Sequence, residues 1–170
     1  VQTLLDGRIF EAFHVDVGVG DAVVDHLETL SVTDLLSFAG ILPTQFPCYP
    51  ITQQIAEKLH AYTKPRKSGE SSRVKDIVDI LLLAELKPLS GVQLRDAIQA
   101  TFTTEKTHPV PPNIPPPPRK WESEYRRMAS EVNLTPVQLD QAFQAVQTFL
   151  NPVLREVPPG VWNPESRSWS

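Results

Sequence analysis

Three carboxylates and one group of cations have the types and spacing to do chemistry in this chain. The carboxylates are Asp16, Asp76 and Asp79. The cations run from Lys58 to Lys75 and comprise Lys58, Lys64, Arg66, Lys67, Arg73 and Lys75, with only Glu70 opposing them. Lysine and arginine make charge-assisted hydrogen bonds to phosphate oxygens. In a chain of formal net charge -4, such a local basic group is a plausible seat for a triphosphate or an RNA backbone. The same run also reads as a solvated loop of long side chains. Asp76 and Asp79 are three apart and share one helical face. Local pairs, Asp76 with Arg73 and Asp79 with Lys75, would account for both without any function. Asp16 lies near the end of an alternating stretch, where it is either a solvent-facing strand residue or a metal ligand or base.

Other chemistries find no support. Glycine-rich phosphate loops, HExxH helices and GxSxG elbows are absent. His14, His26, His60 and His108 show no metal-ligand spacing. The single cysteine, Cys48, excludes an intramolecular disulfide and is expected as a buried small hydrophobe between Pro47 and Tyr49.

The elements that must position these residues follow from periodicity. Ile51, Ile55, Leu59 and Tyr62 line one face of a helix, and Val74, Ile77, Leu81 and Ala84 line a second. A basic loop joins the two, with Ser71 or Ser72 available to cap the second helix. Upstream, residues 8–19 alternate as a strand with Phe13, Val15, Val17 and Val19 on one side. A helical turn closed by Gly40 and an extended edge segment around Phe46, Cys48 and Tyr49 come next. Downstream, Ser90 caps a helix to Thr101, and the proline-rich Thr107–Pro118 runs extended as a surface spacer. A helix carrying Trp121, Tyr125, Met128, Ala129 and Val132 follows. Thr135-Pro136 is expected to open a last helix through Leu139, Phe143, Val146, Leu150 and Val153. The tail is expected to be loop, with Trp162 docked and Trp169 not.

These readings divide the chain into a sheet region (1–50), a central helical region (51–106), a proline-rich linker (107–118), a C-terminal helical pair (119–156) and a tail (157–170). The fold class is α+β, mainly helical. At 170 residues the chain is long enough to bury a sizeable core. It has no apolar run of membrane-spanning length and no signal sequence at its N-terminus, so a cytoplasmic location and no membrane partner are expected. It begins with Val rather than Met, as expected of a piece of a longer protein.

IAEKLHAY at residues 55–62, followed by RVKDIVDILLL at 73–83, resembles the AbiEii/AbiGii toxin family of nucleotidyltransferase-like proteins, the toxin halves of bacterial abortive-infection toxin–antitoxin pairs. FHVDVGVGD at 13–21 resembles the segment preceding that helix pair, and the likeness extends through the W-x3-Y helix. The resemblance implies a polymerase-β-type nucleotidyltransferase core, here a short sheet remnant, followed by a helical bundle. It further implies Mg²⁺, with nucleotide triphosphate as donor, RNA (tRNA) or protein as acceptor, and an antitoxin as partner. Residue by residue, it makes Asp16 a metal-binding carboxylate, Lys58 a catalytic lysine on the nucleotide phosphates, and Asp76 the aspartate of the last motif. Arg73 and Lys75 would be auxiliary phosphate-binding cations. The family's Gly-Ser…Asp-x-Asp segment is absent from these 170 residues. One carboxylate does not hold two Mg²⁺ ions against water, so this stretch alone is expected to be catalytically incomplete. The alternative is a non-catalytic binding module that retains the helical scaffold. A strand lacking sheet neighbours would also favour self-association.

Overall fold

The computed structural model describes residues 2–12, 14, 26–31, 33–34, 37–65 and 73–170. The chain starts with two separate antiparallel hairpins. β1 (Gln2–Leu5) pairs with β2 (Arg8–Ala12) across Asp6-Gly7. Both turn residues have positive φ, 49° and 73°. That is the two-residue turn whose twist matches right-twisted strands, and Asp-Gly is its strongest sequence signal. The strand expected over 8–19 is therefore observed for its first part, Arg8–Ala12, as the second arm of a hairpin. Apart from His14, the remainder, Asp16 included, lies outside the described residues. β3 (Glu28–Ser31) pairs with β4 (Gln45–Cys48), placing Pro47 opposite Thr29 in a two-stranded ladder, as an edge proline requires. Between them a single 3-10 turn, Ser37–Ala39, is closed by Gly40 at φ 73°.

Five helices form the body among the described residues: α1 (Ile51–Thr63), α2 (Val74–Leu86), α3 (Gly91–Glu105), α4 (Glu122–Glu131) and α5 (Leu139–Leu150). α1 lies against both α2 and α3, while α2 also touches α4 and α5. This central place matches the sequence of α2. Its buried residues, Val74, Asp76, Ile77, Val78, Ile80, Leu81 and Ala84, exceed a single stripe, as expected of a helix covered on several sides. One continuous core runs from Ile55 and Leu59 through Ile77 and Ile98 to Tyr125, Phe149 and Val153.

Helix ends are fixed in unequal ways. Ser90 caps α3, its hydroxyl accepting from the Gln93 N–H. Arg73 occupies the N-cap position of α2; Ser71 and Ser72, the expected caps, lie outside the described residues. α1 starts after Pro50, which has no side-chain oxygen, and the carboxylate of Glu28 accepts from the Ile51 N–H at 3.4 Å instead. The same carboxylate binds Lys87 just beyond α2 at 2.5 Å, so one residue of β3 ties the second hairpin to two helix ends. A carboxylate at a helix N-terminus is favoured by the macrodipole. α5 begins at Leu139, three residues after the expected Pro136, with Gln138 at its N-cap position. The Thr135–Pro136 bond is cis, and the Pro136 carbonyl is taken by the Tyr125 hydroxyl at 2.7 Å.

The proline-rich segment holds no helix or strand, as expected, and is pinned at two adjacent residues. Ile114 is buried and its N–H donates to Asn151 Oδ1 at 3.0 Å, while the Tyr62 hydroxyl donates to the Pro115 carbonyl at 2.7 Å. The tail departs from expectation. β6 (Val161–Asn163) and β7 (Ser168–Trp169) form a small sheet with β5 (Leu89–Ser90). Trp162 is buried, as expected. Trp169 docks as well, stacked on Phe149 with its indole N–H on the Phe149 carbonyl at 2.8 Å. The cause is a turn within the stretch expected as loop: Asn163 Oδ1 accepts from the N–H groups of Glu165 and Ser166, returning the chain beside itself. The return brings Pro159 against α3, where a Cβ on Gly91 would lie 2.2 Å from the Pro159 carbonyl oxygen. No described helix is long and apolar enough to cross a membrane.

Candidate functional site

Four of the residues singled out in sequence, Lys58, Arg73, Asp76 and Asp79, meet where the second half of α1 faces the first turns of α2. Lys58 projects from α1, Asp76 and Asp79 from successive turns of α2, and Arg73 from its N-cap position. Asp76 is the buried member, with 4% of its side chain exposed, and it lies between two cations. Its Oδ1 is 4.0 Å from the Lys58 ammonium and its Oδ2 is 3.8 Å from Arg73 Nε. The cations stand further out, with 35% and 40% of their side chains exposed. Asp79 closes the arrangement, its Oδ2 2.6 Å from the Lys58 ammonium.

Local causes are clear. The buried stripe of α1, Ile51, Ile55 and Leu59, turns Lys58 sideways toward α2. Asp76 falls in the first turn of α2, where the helix dipole favours a carboxylate. The i,i+3 spacing then puts Asp79 on the same side. The local pair expected for Asp76 with Arg73 is present. The one expected for Asp79 with Lys75 is not: Asp79 takes Lys58 instead, and Lys75 is exposed and makes no ion pair among the described residues. Lys75 stands four residues before Asp79 and so shares its face, but the Lys58 ammonium, reaching across from α1, holds Asp79 instead. Asp16 lies outside the described residues.

A carboxylate held below two half-exposed cations is suited to anion recognition. It fixes where the cations sit and lowers the cost of keeping two positive charges together. The described residues do not suit a divalent metal. The ammonium of Lys58 already occupies the space between the two aspartates, and no group of three or more His, Cys, Asp or Glu side chains converges among the described residues.

A second polar cluster, not signalled by any spacing in the sequence, lies on the α3 side of α1. The Thr63 hydroxyl donates to the Leu59 carbonyl at 2.9 Å. Having one proton, it accepts from His108 Nε2 at 2.7 Å. His108 Nδ1 is then bare and accepts from the Thr107 hydroxyl at 2.9 Å. Thr107 in turn accepts from His60 Nε2 at 2.7 Å. With Thr63 donating to Leu59, the donors run in one direction, which puts a proton on Nε2 of both imidazoles and leaves His108 Nδ1 bare. His60 and His108 stack with ring centroids 4.9 Å apart, and Phe102 meets both edge-on. Burial lowers the pKa of each imidazole. For His60 the neighbouring His108 lowers it further and Glu105 opposes, and Lys64 lowers both.

The Lys58 and Asp76 pairing thus joins two sequence segments, 55–62 and 73–83, across one helical interface. A family model described as the nucleotidyl transferase AbiEii toxin of type IV toxin–antitoxin systems matches residues 1–159. The chain belongs to this family. The match runs over both N-terminal hairpins, the helical pair with its ion cluster, the proline-rich segment and α4 and α5, so the AbiEii assignment rests on nearly the whole chain. Comparison with curated proteins gives no match.

Proposed function

We propose that the Lys58–Arg73–Asp76 cluster is the nucleotide-facing part of the AbiEii toxin's transferase site. Lys58 and Arg73 would hold phosphate oxygens of a nucleotide triphosphate, and Asp76 would hold the two cations in register beneath them. The observation that supports this most is the order of burial: the carboxylate is inside and both cations lean outward from it. The transferred nucleotide would pass to a hydroxyl of an RNA, such as a tRNA, or of a protein, and an antitoxin would restrain the activity. The Mg²⁺ that such a transfer uses would be held by Asp16 together with carboxylates beyond those described, because Asp76 and Asp79 are neutralised by cations. Residues 1–170 alone would then be catalytically incomplete.

A non-catalytic binding module is the second reading. It draws on one observation, that the cluster is internally balanced, with Lys58 and Arg73 facing Asp76 and Asp79. The test uses the full-length gene product with each of the four α-labelled nucleoside triphosphates, Mg²⁺, total RNA and cell protein. Transfer of label into an RNA or protein band supports the transferase reading. Absence of label from every band, with all four nucleotides, refutes it and leaves the binding module.

A further inference from the structure

The ion pair between Lys58 and Asp79 has a role that the charge pattern alone does not suggest. Of the two carboxylates near the Lys58 ammonium, Asp76 stands at 4.0 Å, beyond hydrogen-bonding distance, whereas Asp79 stands at 2.6 Å. The close ion pair to Lys58 is therefore made by Asp79, and Asp76 acts on it from further away. A lysine on a four-carbon stem with a third of its side chain exposed keeps no fixed position unless a partner holds it. Asp79 is suited to hold it. It is one-fifth exposed and rises from a helix whose neighbouring residues Val78 and Ile80 are buried, so its own backbone is anchored.

We propose that Asp79 is a positioning residue that aims Lys58 at the nucleotide phosphates without touching substrate itself. This rests on the reading of Lys58 as a phosphate-binding lysine. Electrostatics alone leads to the opposite expectation for its removal. Asp79→Asn takes a negative charge away from the neighbourhood of an anionic ligand, which by Coulomb attraction would tighten binding. Positioning instead requires that binding weaken, because the ammonium is no longer held. The role also requires that the effect pass through Lys58 and vanish when Lys58 is gone.

The experiment is a double-mutant cycle on the full-length protein, read as the affinity for each of the four nucleoside triphosphates with Mg²⁺ by equilibrium fluorescence. Thermal unfolding of every variant is recorded alongside. Asp79→Asn should weaken binding by about fivefold to tenfold, in line with the loss of one fixed charge-assisted contact. Lys58→Ala should weaken it by at least about tenfold, and the double variant should be no weaker than Lys58→Ala. Asp79→Glu, which keeps the charge, should recover part of the loss. Binding by Asp79→Asn equal to or tighter than wild type overturns the proposal, as does a double variant weaker than Lys58→Ala by the full Asp79→Asn factor. Binding and transfer untouched in Lys58→Ala would overturn instead the reading of Lys58 on which the proposal stands.

Discussion

Replacing Thr107 by Val tests the directional hydrogen-bond chain that joins the end of α1 to the loop after α3. The hydroxyl of Thr107 accepts from His60 Nε2 and donates to His108 Nδ1, both within 2.9 Å. Valine keeps the shape and removes both bonds. The two losses are unequal. His60 is 5% exposed, so its Nε2–H is left without a partner and carries the desolvation cost of a buried donor, about 1–3 kcal/mol. His108 is half-buried and can turn to water, which adds little. A net loss of about 1–2 kcal/mol follows, and for a chain of this size that is a fall of about 2–8 °C in Tm. The same network fixes the sign of the pH dependence. Both imidazoles have folded pKa values below the ordinary 6.5, so the unfolded chain binds more protons as pH falls. Their contribution is complete above about pH 6.5 and is lost as the solution is acidified below it. Glu105 opposes the effect at His60, while Lys64 reinforces it at both rings. Scanning calorimetry from pH 8 to pH 5 should show wild type losing stability more steeply than Thr107→Val. Nitrogen-15 spectra of the imidazoles at pH 8 should show the Nε2–H tautomer for both. An Nδ1–H tautomer at either ring, or a Thr107→Val protein as stable as wild type at pH 8, would refute the donor order derived above.

Other elements give further expectations. Tyr125 is fully buried with its hydroxyl on the Pro136 carbonyl, and burial with Glu85 nearby pushes its pKa up to about 12. Its contribution is present below pH 10 and fades as pH rises toward 12. Tyr125→Phe should cost about 1 kcal/mol in denaturant unfolding at pH 7. Leu59→Ala, at a fully buried position in the α1 interface, should lower stability by about 2–5 kcal/mol in the same assay. Lys75→Ala should change nucleotide affinity far less than Lys58→Ala, because Lys75 is exposed and makes no ion pair with Asp76 or Asp79, whereas Lys58 pairs with both; equal losses in a titration would contradict that. Self-association is expected through the exposed apolar residues of the N-terminal hairpins, Leu4, Ile9, Phe10, Leu30 and Phe46 among them. Light scattering showing a monomer at micromolar concentration would argue against it.

The helices were legible in the sequence because their information is local. The four-and-three spacings of Ile51 to Tyr62 and of Val74 to Ala84 located α1 and α2, and Ser90 marked the start of α3. The Arg73–Asp76 pair was legible for the same reason, being one helical turn long. What escaped depends on contacts distant in sequence. Glu28 caps a helix from another hairpin, His60 and His108 meet only when α1 packs on α3, and Asp79 selects Lys58 rather than the nearer Lys75. No periodicity encodes which of two cations a carboxylate meets. Trp169 was missed differently: the turn that docks it is made by one asparagine side chain folding back on its own backbone, a signal present in the sequence as Asn163-Pro164. Asp6-Gly7 was a signal of the same kind.

The central claim is that the Lys58 ammonium, held above Asp76, acts on the nucleotide. The most direct measurement is the rate of label transfer from the preferred α-labelled nucleotide by the full-length protein, comparing wild type, Lys58→Ala and Lys58→Arg at matched folded fractions. The account predicts a loss of at least about a hundredfold for alanine, the scale of one removed charge-stabilising group. Arginine should recover it only in part, because its planar fork does not fit the single-point geometry between Asp76 and Asp79. Transfer by Lys58→Ala at the wild-type rate would contradict the account.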